Sequence, residues 1–309
     1  MQNLIRLTGW TMILTYMVIV IGAAVRVYDA GLSCPDWPKC YGLYIPFPVE
    51  ESWGYSNFEV FLEWVHRLLA AVLGFLILAI TVLSFKHRNV HKGVFLWPLA
   101  ALILLFLQVK LGMITVLLSN IHWTVAIHLG NAMILFAMLV IARKRMATLE
   151  DTENKVIPVS RKFKINLWIL LFITFFTMLL GAMVSTSHSG GICGGLPLCH
   201  GEFMPKGDFQ AIIHMKHRLF ALFTVLIALT LFMTSYTQDI TYKNTAKGVN
   251  ILIGLQVVIG TVLLYSFSHY AWAYKGLSVF HLAWGTIILL AIVGALCKVY
   301  FGKGGSFHK

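Results

Sequence analysis

Four histidines in an otherwise apolar chain, His66, His128, His217 and His281, could share one chemistry because they come as two matched pairs. Two imidazoles from facing helices of a bundle are a common axial pair for heme iron. A lone histidine near a helix end is ordinarily an interfacial or hydrogen-bonded residue, and a metal site or a proton relay would also draw on ionisable groups held within a membrane. Duplication of the pair favours heme ligation. Glu63 stands three residues before His66 on the same helical face, where a carboxylate can take up a proton or stabilise developing positive charge. An ion pair with Arg67, four residues on, is the competing reading. Arg67 and Arg218 directly follow two of the histidines, at a level where a guanidinium could pair with heme propionates or snorkel toward lipid phosphate. Arg26 and Lys110 are found in the N-terminal half alone and could recognise something bound only there.

Four of the five cysteines form two Cys-x5-Cys pairs, Cys34 with Cys40 and Cys193 with Cys199. On an oxidising outer side, local disulfides are the natural expectation, as structural staples or as redox groups. Cys297 reads as packing. His122, His188, His200 and His269 have no duplicated helix placement and carry no functional reading.

The elements that must position these residues are membrane helices. The chain is 59% hydrophobic and 12% charged, with a mean hydropathy of +0.80, outside the range of water-soluble domains. A spanning helix needs roughly 20 mostly apolar residues, and such stretches lie at about 7–25, 62–85, 94–118, 122–142, 165–184, 212–236, 247–267 and 277–300. Gly22-Ala23-Ala24 superficially resembles a signal-peptide cleavage site, but the run before it is too long for one. The segments 86–92, 143–164 and 237–247, with Arg6 and the tail lysines, hold 16 of the 24 basic residues. By the positive-inside rule they face the cytoplasm, with both termini. The net charge of +12 therefore reflects topology and attraction to anionic lipid, and excludes nucleic acid as the expected partner. The loops at about 27–61 and 185–211, rich in Gly, Pro and aromatics, fall on the outer side as lids.

The chain also repeats itself. Gly22, Cys34, Pro38, Cys40 and Gly42 recur 159 residues later as Gly181, Cys193, Pro197, Cys199 and Gly201. Glu63-Trp64-Val65-His66-Arg67-Leu68 matches His214-Met215-Lys216-His217-Arg218-Leu219. Gln108 and Gly112 match Gln256 and Gly260, and His128-Leu129 matches His281-Leu282. The expected fold is all-α and integral to the membrane: eight helices as two tandem four-helix bundles related by a pseudo-twofold axis along the membrane normal. An N-terminal half at 1–142 and a C-terminal half at 165–309 flank a basic linker at 143–164. The four histidines then lie on the second, fourth, sixth and eighth helices, on the order of 5–10 Å below their outer ends at about 1.5 Å per residue. Glu63 has His214 as its counterpart, so chemistry falls to the first half and electron transfer to the second.

Taken together, Gly31-Leu32-Ser33-Cys34-Pro35-Asp36-Trp37-Pro38, Glu63-Trp64-Val65-His66-Arg67, His128, Lys216-His217-Arg218 and His281 in a duplicated eight-helix chain resemble heme A synthase, in its bacterial type with paired extracytoplasmic cysteines. The resemblance covers nearly the whole chain. It implies an oxidoreductase of the cell membrane that converts the C8 methyl of heme O to a formyl group, giving heme A by successive hydroxylations through an alcohol and a hydrate. It further implies heme O on His66 and His128, a resident heme b on His217 and His281, Glu63 assisting at the methyl carbon, and hemes near the extracytoplasmic side. The partners implied are heme O synthase and terminal oxidase assembly, besides membrane lipid; a homo-oligomer stays open. Other readings of the same residues are a diheme cytochrome b-type electron carrier, which leaves Glu63 in one half unexplained, and a quinone-coupled thiol oxidase, which leaves the histidines unexplained. A transporter with parallel repeats would show matched Gly/Pro-interrupted helices, and these are lacking.

Overall fold

The computed structural model describes residues 1–151 and 157–301, apart from the side chains at 268, 269, 271 and 272. Among the described residues the fold is all-helical: α1 (Gln2–Val27), α2 (Asn57–Phe85), α3 (Lys92–Leu117), α4 (His122–Glu150), α5 (Arg161–Thr186), α6 (Phe209–Ser235), α7 (Ile240–His269) and α8 (Ala271–Phe301). All eight are long and apolar enough to cross a membrane. Lys155 and the last lysines of the tail, counted above among the inner basic residues, lie outside the described residues.

Most helices run past the apolar stretches that announce them, because polar residues can cap or prolong a helix without joining its apolar run. Ser56 opens α2 with a capping box: its hydroxyl accepts from the Glu59 N–H at 3.4 Å, and its own N–H donates to Glu59 Oε2 at 2.8 Å. Asp208 caps α6 by accepting from the N–H groups of Gln210 and Ala211 at 2.9 and 3.2 Å, and Asp239 caps α7 through the Thr241 N–H at 2.8 Å. At its other end α4 continues through Arg143, Lys144 and Arg145 to Glu150, residues of good helix propensity. The basic segment 143–164 is thus helical where it leaves α4 and again where it enters α5. The earlier starts of α2, α6 and α8 place His66, His217 and His281 further along their helices than the apolar runs suggest, while α4 begins where expected. Counted from the first residue of α2, α4, α6 and α8, the four histidines lie about 9–15 Å along their helices at about 1.5 Å per residue.

Two closed rings of packing follow the chain. α1 packs on α2, α2 on α3, α3 on α4 and α4 back on α1; α5 through α8 do the same. Val18, Leu73, Ile77, Ala101, Leu135 and Leu139 fill the first ring, and Leu167, Leu170, Leu231, Val249, Ile253, Ile288 and Ile292 are central to the second. The seam between them is built by α1, α4, α5 and α8, with Ile19, Met133, Phe136, Val140, Leu289, Val293 and Cys297 buried in it. Lipid tails are as apolar as these side chains, so close packing rather than escape from water is what favours the contacts.

Candidate functional site

Each of the four histidines meets a glycine on the helix preceding its own. A Cβ built on Gly22 of α1 would stand 2.9 Å from His66 Cε1 on α2, and one on Gly112 of α3 would stand 3.2 Å from His128 Cε1 on α4. The pattern repeats for Gly181 of α5 with His217 on α6, and for Gly260 of α7 with His281 on α8, each at 3.0 Å. Any side chain at these glycines would enter the space of an imidazole, so the glycines let the Cε1 edge of each ring close on the neighbouring helix backbone. Both glycine pairs belong to the sequence repeat, but the repeat alone does not say what they touch. Two glutamines share that history. Gln108 Nε2 lies 3.2 Å from His128 Nε2, and Gln256 Nε2 lies 3.2 Å from His281 Nε2. In the first half Asn131 donates to Gln108 Oε1 at 2.7 Å. In the second half the corresponding helix position is Trp284, which bonds instead to the Leu252 carbonyl at 2.9 Å.

The donor set fits a heme better than a bare ion. Among the described residues no three of His, Cys, Asp or Glu converge as a metal-ion ligand set, and two imidazoles suit a metal whose remaining positions belong to a macrocycle. The ring centres of His217 and His281 are 6.4 Å apart with their planes at 76°. His217 and His281 thus face each other across a gap and are the residues that would hold a heme in this half, the group supplying redox chemistry there. His217 Nδ1 is 3.0 Å from the Thr177 carbonyl, a second contact that commonly fixes a ligating ring and leaves Nε2 for the metal. Nδ1 of His128 and His281 is buried without a hydrogen-bond partner, and a buried nitrogen left so costs roughly 1–3 kcal/mol.

Glu63 is buried, and its Oε1 accepts from Arg67 Nε at 2.6 Å. Its counterpart His214 is also buried and lies 2.8 Å through Nδ1 from the Ser189 carbonyl. The ion pair weighed from the sequence is therefore present, and only one half has it. Arg67 also donates to the carbonyls of Cys34, Asp36 and Lys39 at 2.9, 2.5 and 2.9 Å. Arg218 repeats the arrangement with Cys193, Gly195 and Leu198 at 3.1, 2.8 and 3.5 Å. Both guanidiniums thus tie a disulfide loop to the helix that bears a histidine. Cys34–Cys40 and Cys193–Cys199 are the two disulfides. Each loop closes in a tight turn whose central residues have positive φ, Tyr41 and Gly42 in one, His200 and Gly201 in the other, as turns of this hairpin type require.

Asp36 sets the first loop apart. Burial disfavours its charged form, but the N–H groups of Gly42 and Tyr41, at 2.9 and 2.6 Å, and the Arg67 guanidinium outweigh that and hold its carboxyl below the ordinary value. A depressed native value means that the folded loop gains stability from Asp36 above the unfolded pKa of about 3.9 and loses it as pH falls through the native value. The protection of the Tyr41 and Gly42 amides, taken relative to the intrinsic exchange rate at each pH, should therefore fall several-fold on acidification below about pH 4, while the second turn, with Gly195 in the place of Asp36, shows no such step. Asp36→Asn should abolish the acid dependence. An equal response in both loops would remove Asp36 as its cause.

Arg26 and Lys110 part company. Arg26 reaches across the seam: its Nη2 donates to the Ser185 carbonyl at 2.7 Å and lies 3.4 Å from His188 Nε2, while its Nη1 pairs with Asp29 at 2.8 Å. Ser185 is the residue 159 positions after Arg26, so Arg26 contacts its own counterpart. Lys110 is exposed on α3.

The model of a family described as cytochrome oxidase assembly protein, COX15-CtaA, matches residues 6–293. The chain is 30% identical over 257 residues to the heme A synthase of Shewanella oneidensis, which spans 72% of this chain and 76% of that protein. It is 28% identical over 337 residues to that of Caulobacter vibrioides, with 93% of each chain covered. To that of Bacillus pumilus it is 26% identical over 270 residues, covering 83% of this chain and 84% of the relative.

Proposed function

The chain belongs to the COX15-CtaA family of cytochrome oxidase assembly proteins, and from that premise we propose that it is a heme A synthase, oxidising the C8 methyl of heme O to a formyl group. The observation that carries the reading is an asymmetry within a match: two histidine pairs cradled by equivalent glycines, with a buried carboxylate, Glu63, beside only one of them.

On this reading residues 1–142 form the substrate half and residues 165–309 the cofactor half, related by a pseudo-twofold axis through the seam where Arg26 meets Ser185. His66 and His128 hold heme O. His217 and His281 hold heme b, which when bound supplies one-electron transfer. Arg67 fixes one oxygen of Glu63, so the carboxylate is held in place beside the substrate ring. There it accepts a proton or stabilises positive charge developing at the methyl carbon. The disulfide loops, anchored through Arg67 and Arg218, close the outer ends of the two bundles and limit water at the ring edges. The termini and the basic helix ends face the cytoplasm, the hemes lie toward the extracytoplasmic side, and the cell membrane is the location.

The test is a pyridine hemochrome spectrum, with chromatographic identification of the extracted hemes, on protein purified from cells that also make heme O. Heme B together with heme O or A is expected, the latter pair lost and heme B kept in His66→Met or His128→Met. Heme B alone in both halves would favour the diheme electron carrier instead. A colourless protein would overturn heme ligation altogether.

A further inference from the structure

On the face away from the histidine sites, α1, α4 and α8 enclose an open groove of about 600 Å³. Arg6, Gly9, Ile13 and Tyr16 line it from α1, Arg143 from α4 and Leu290 from α8. Its length from Arg6 to Tyr16 is about 15 Å at about 1.5 Å per residue, half of a hydrocarbon core of about 30 Å and so the depth of one leaflet. One end is cationic and the rest is apolar. The cationic end lies level with the N-terminus, since the Met1 amino group pairs with Glu150 at 3.9 Å near the end of α4.

Arg143 stands at the cationic end of the groove, packed on α1 at Gly9. A Cβ at Gly9 would stand 3.2 Å from its Nε, so the glycine admits the guanidinium against α1. That Nε is buried and has no hydrogen-bond partner. Among the described residues neither Arg143 nor Arg6 pairs with a carboxylate, and Glu150 is engaged by the amino terminus. Lys144 and Arg145 follow Arg143 directly, adding positive charge that opposes a zwitterionic head with its own ammonium. Ile13 is 53% exposed, so the wall is open to lipid.

We propose that this groove binds one anionic glycerophospholipid of the leaflet nearest the N-terminus, with its phosphate between Arg6 and Arg143 and one acyl chain running along α1 past Ile13 toward Tyr16. A phosphodiester supplies acceptors for the terminal guanidinium N–H groups of Arg6 and Arg143 at the cationic end of the groove, and guanidinium–phosphate pairs are among the stronger charged hydrogen bonds. The apolar length fits a chain rather than a free anion. Basic pockets between helices recognise lipid heads in this way.

Native mass spectrometry of the purified full-length protein, titrated with phosphatidylglycerol or with phosphatidylcholine of the same chains, reads the binding directly. The wild-type protein is expected to retain one phosphatidylglycerol at least tenfold more tightly than phosphatidylcholine, with millimolar inorganic phosphate unable to displace it. Arg6→Gln with Arg143→Gln should weaken retention about tenfold by removing head recognition. Ile13→Trp should do the same by filling the wall at a lipid-facing position where folding is not at stake; melting temperatures of all three proteins verify that they are folded. Equal retention of the two lipids, unchanged retention in either folded variant, or displacement by phosphate alone would overturn the proposal.

Discussion

Glu63→Gln is expected to leave heme bound in both halves and to lower heme A formation by about two orders of magnitude or more, within the range of about 10²–10⁴ that a positioned acid or base contributes. Glutamine keeps the size and one acceptor oxygen of the side chain but can neither take the proton nor balance positive charge. The His66 and His128 sites stay intact, so heme extracted from the variant should be heme B with unconverted heme O. The partner complicates the experiment, because Arg67 bonds both to Glu63 and to three loop carbonyls. A structural contribution of the pair is separated by Arg67→Gln, which should loosen the Cys34–Cys40 loop, detected as faster amide exchange there, while retaining the carboxylate. If Glu63→Gln forms heme A at the wild-type rate, the carboxylate has no part in the chemistry. If it loses heme O as well, its role is binding.

How far the sequence foretells this arrangement depends on the kind of interaction. The eight helices are legible because a run of about 20 apolar residues has few alternatives in a bilayer, and the histidines are legible because duplication marks them. The disulfides follow from paired cysteines close in sequence. Helix ends are less legible: hydropathy falls at Arg143, but the backbone continues helical to Glu150, since basic residues leave the apolar core without leaving the helix. The partners of Arg67 and Arg218 are hidden for a different reason. From the sequence a guanidinium next to a histidine offers itself to heme propionates or to lipid phosphate; each also bonds to backbone carbonyls of a loop, and carbonyls carry no sequence signature. The contact of Gln108 with His128 crosses between helices, and only its recurrence as Gln256 with His281 could have signalled it.

Gly181→Leu is expected to remove heme b, by at least tenfold in heme per chain, while leaving the N-terminal half able to bind its own heme; Gly22→Leu should do the reverse. The argument is steric. A Cβ at Gly181 already lies 3.0 Å from His217 Cε1, and one at Gly22 lies 2.9 Å from His66 Cε1, so a branched side chain must drive the ring from its place. Since His217 is also held through Nδ1 by the Thr177 carbonyl, the ring cannot retreat without losing that bond, and the 6.4 Å spacing to His281 goes with it. Alanine, which needs a shift of only a few tenths of an ångström, should give a partial loss. Gly254→Ala supplies the comparison: nothing stands within 4 Å of a Cβ there, and alanine in a helix interior is favoured over glycine by about 1 kcal/mol, so heme content should hold while the melting temperature rises. Heme stoichiometry and the reduced absorption spectrum read each of these variants. Full heme b in a folded Gly181→Leu protein would mean that the iron is not where His217 and His281 face each other, and the assignment of the cofactor half would fall with it.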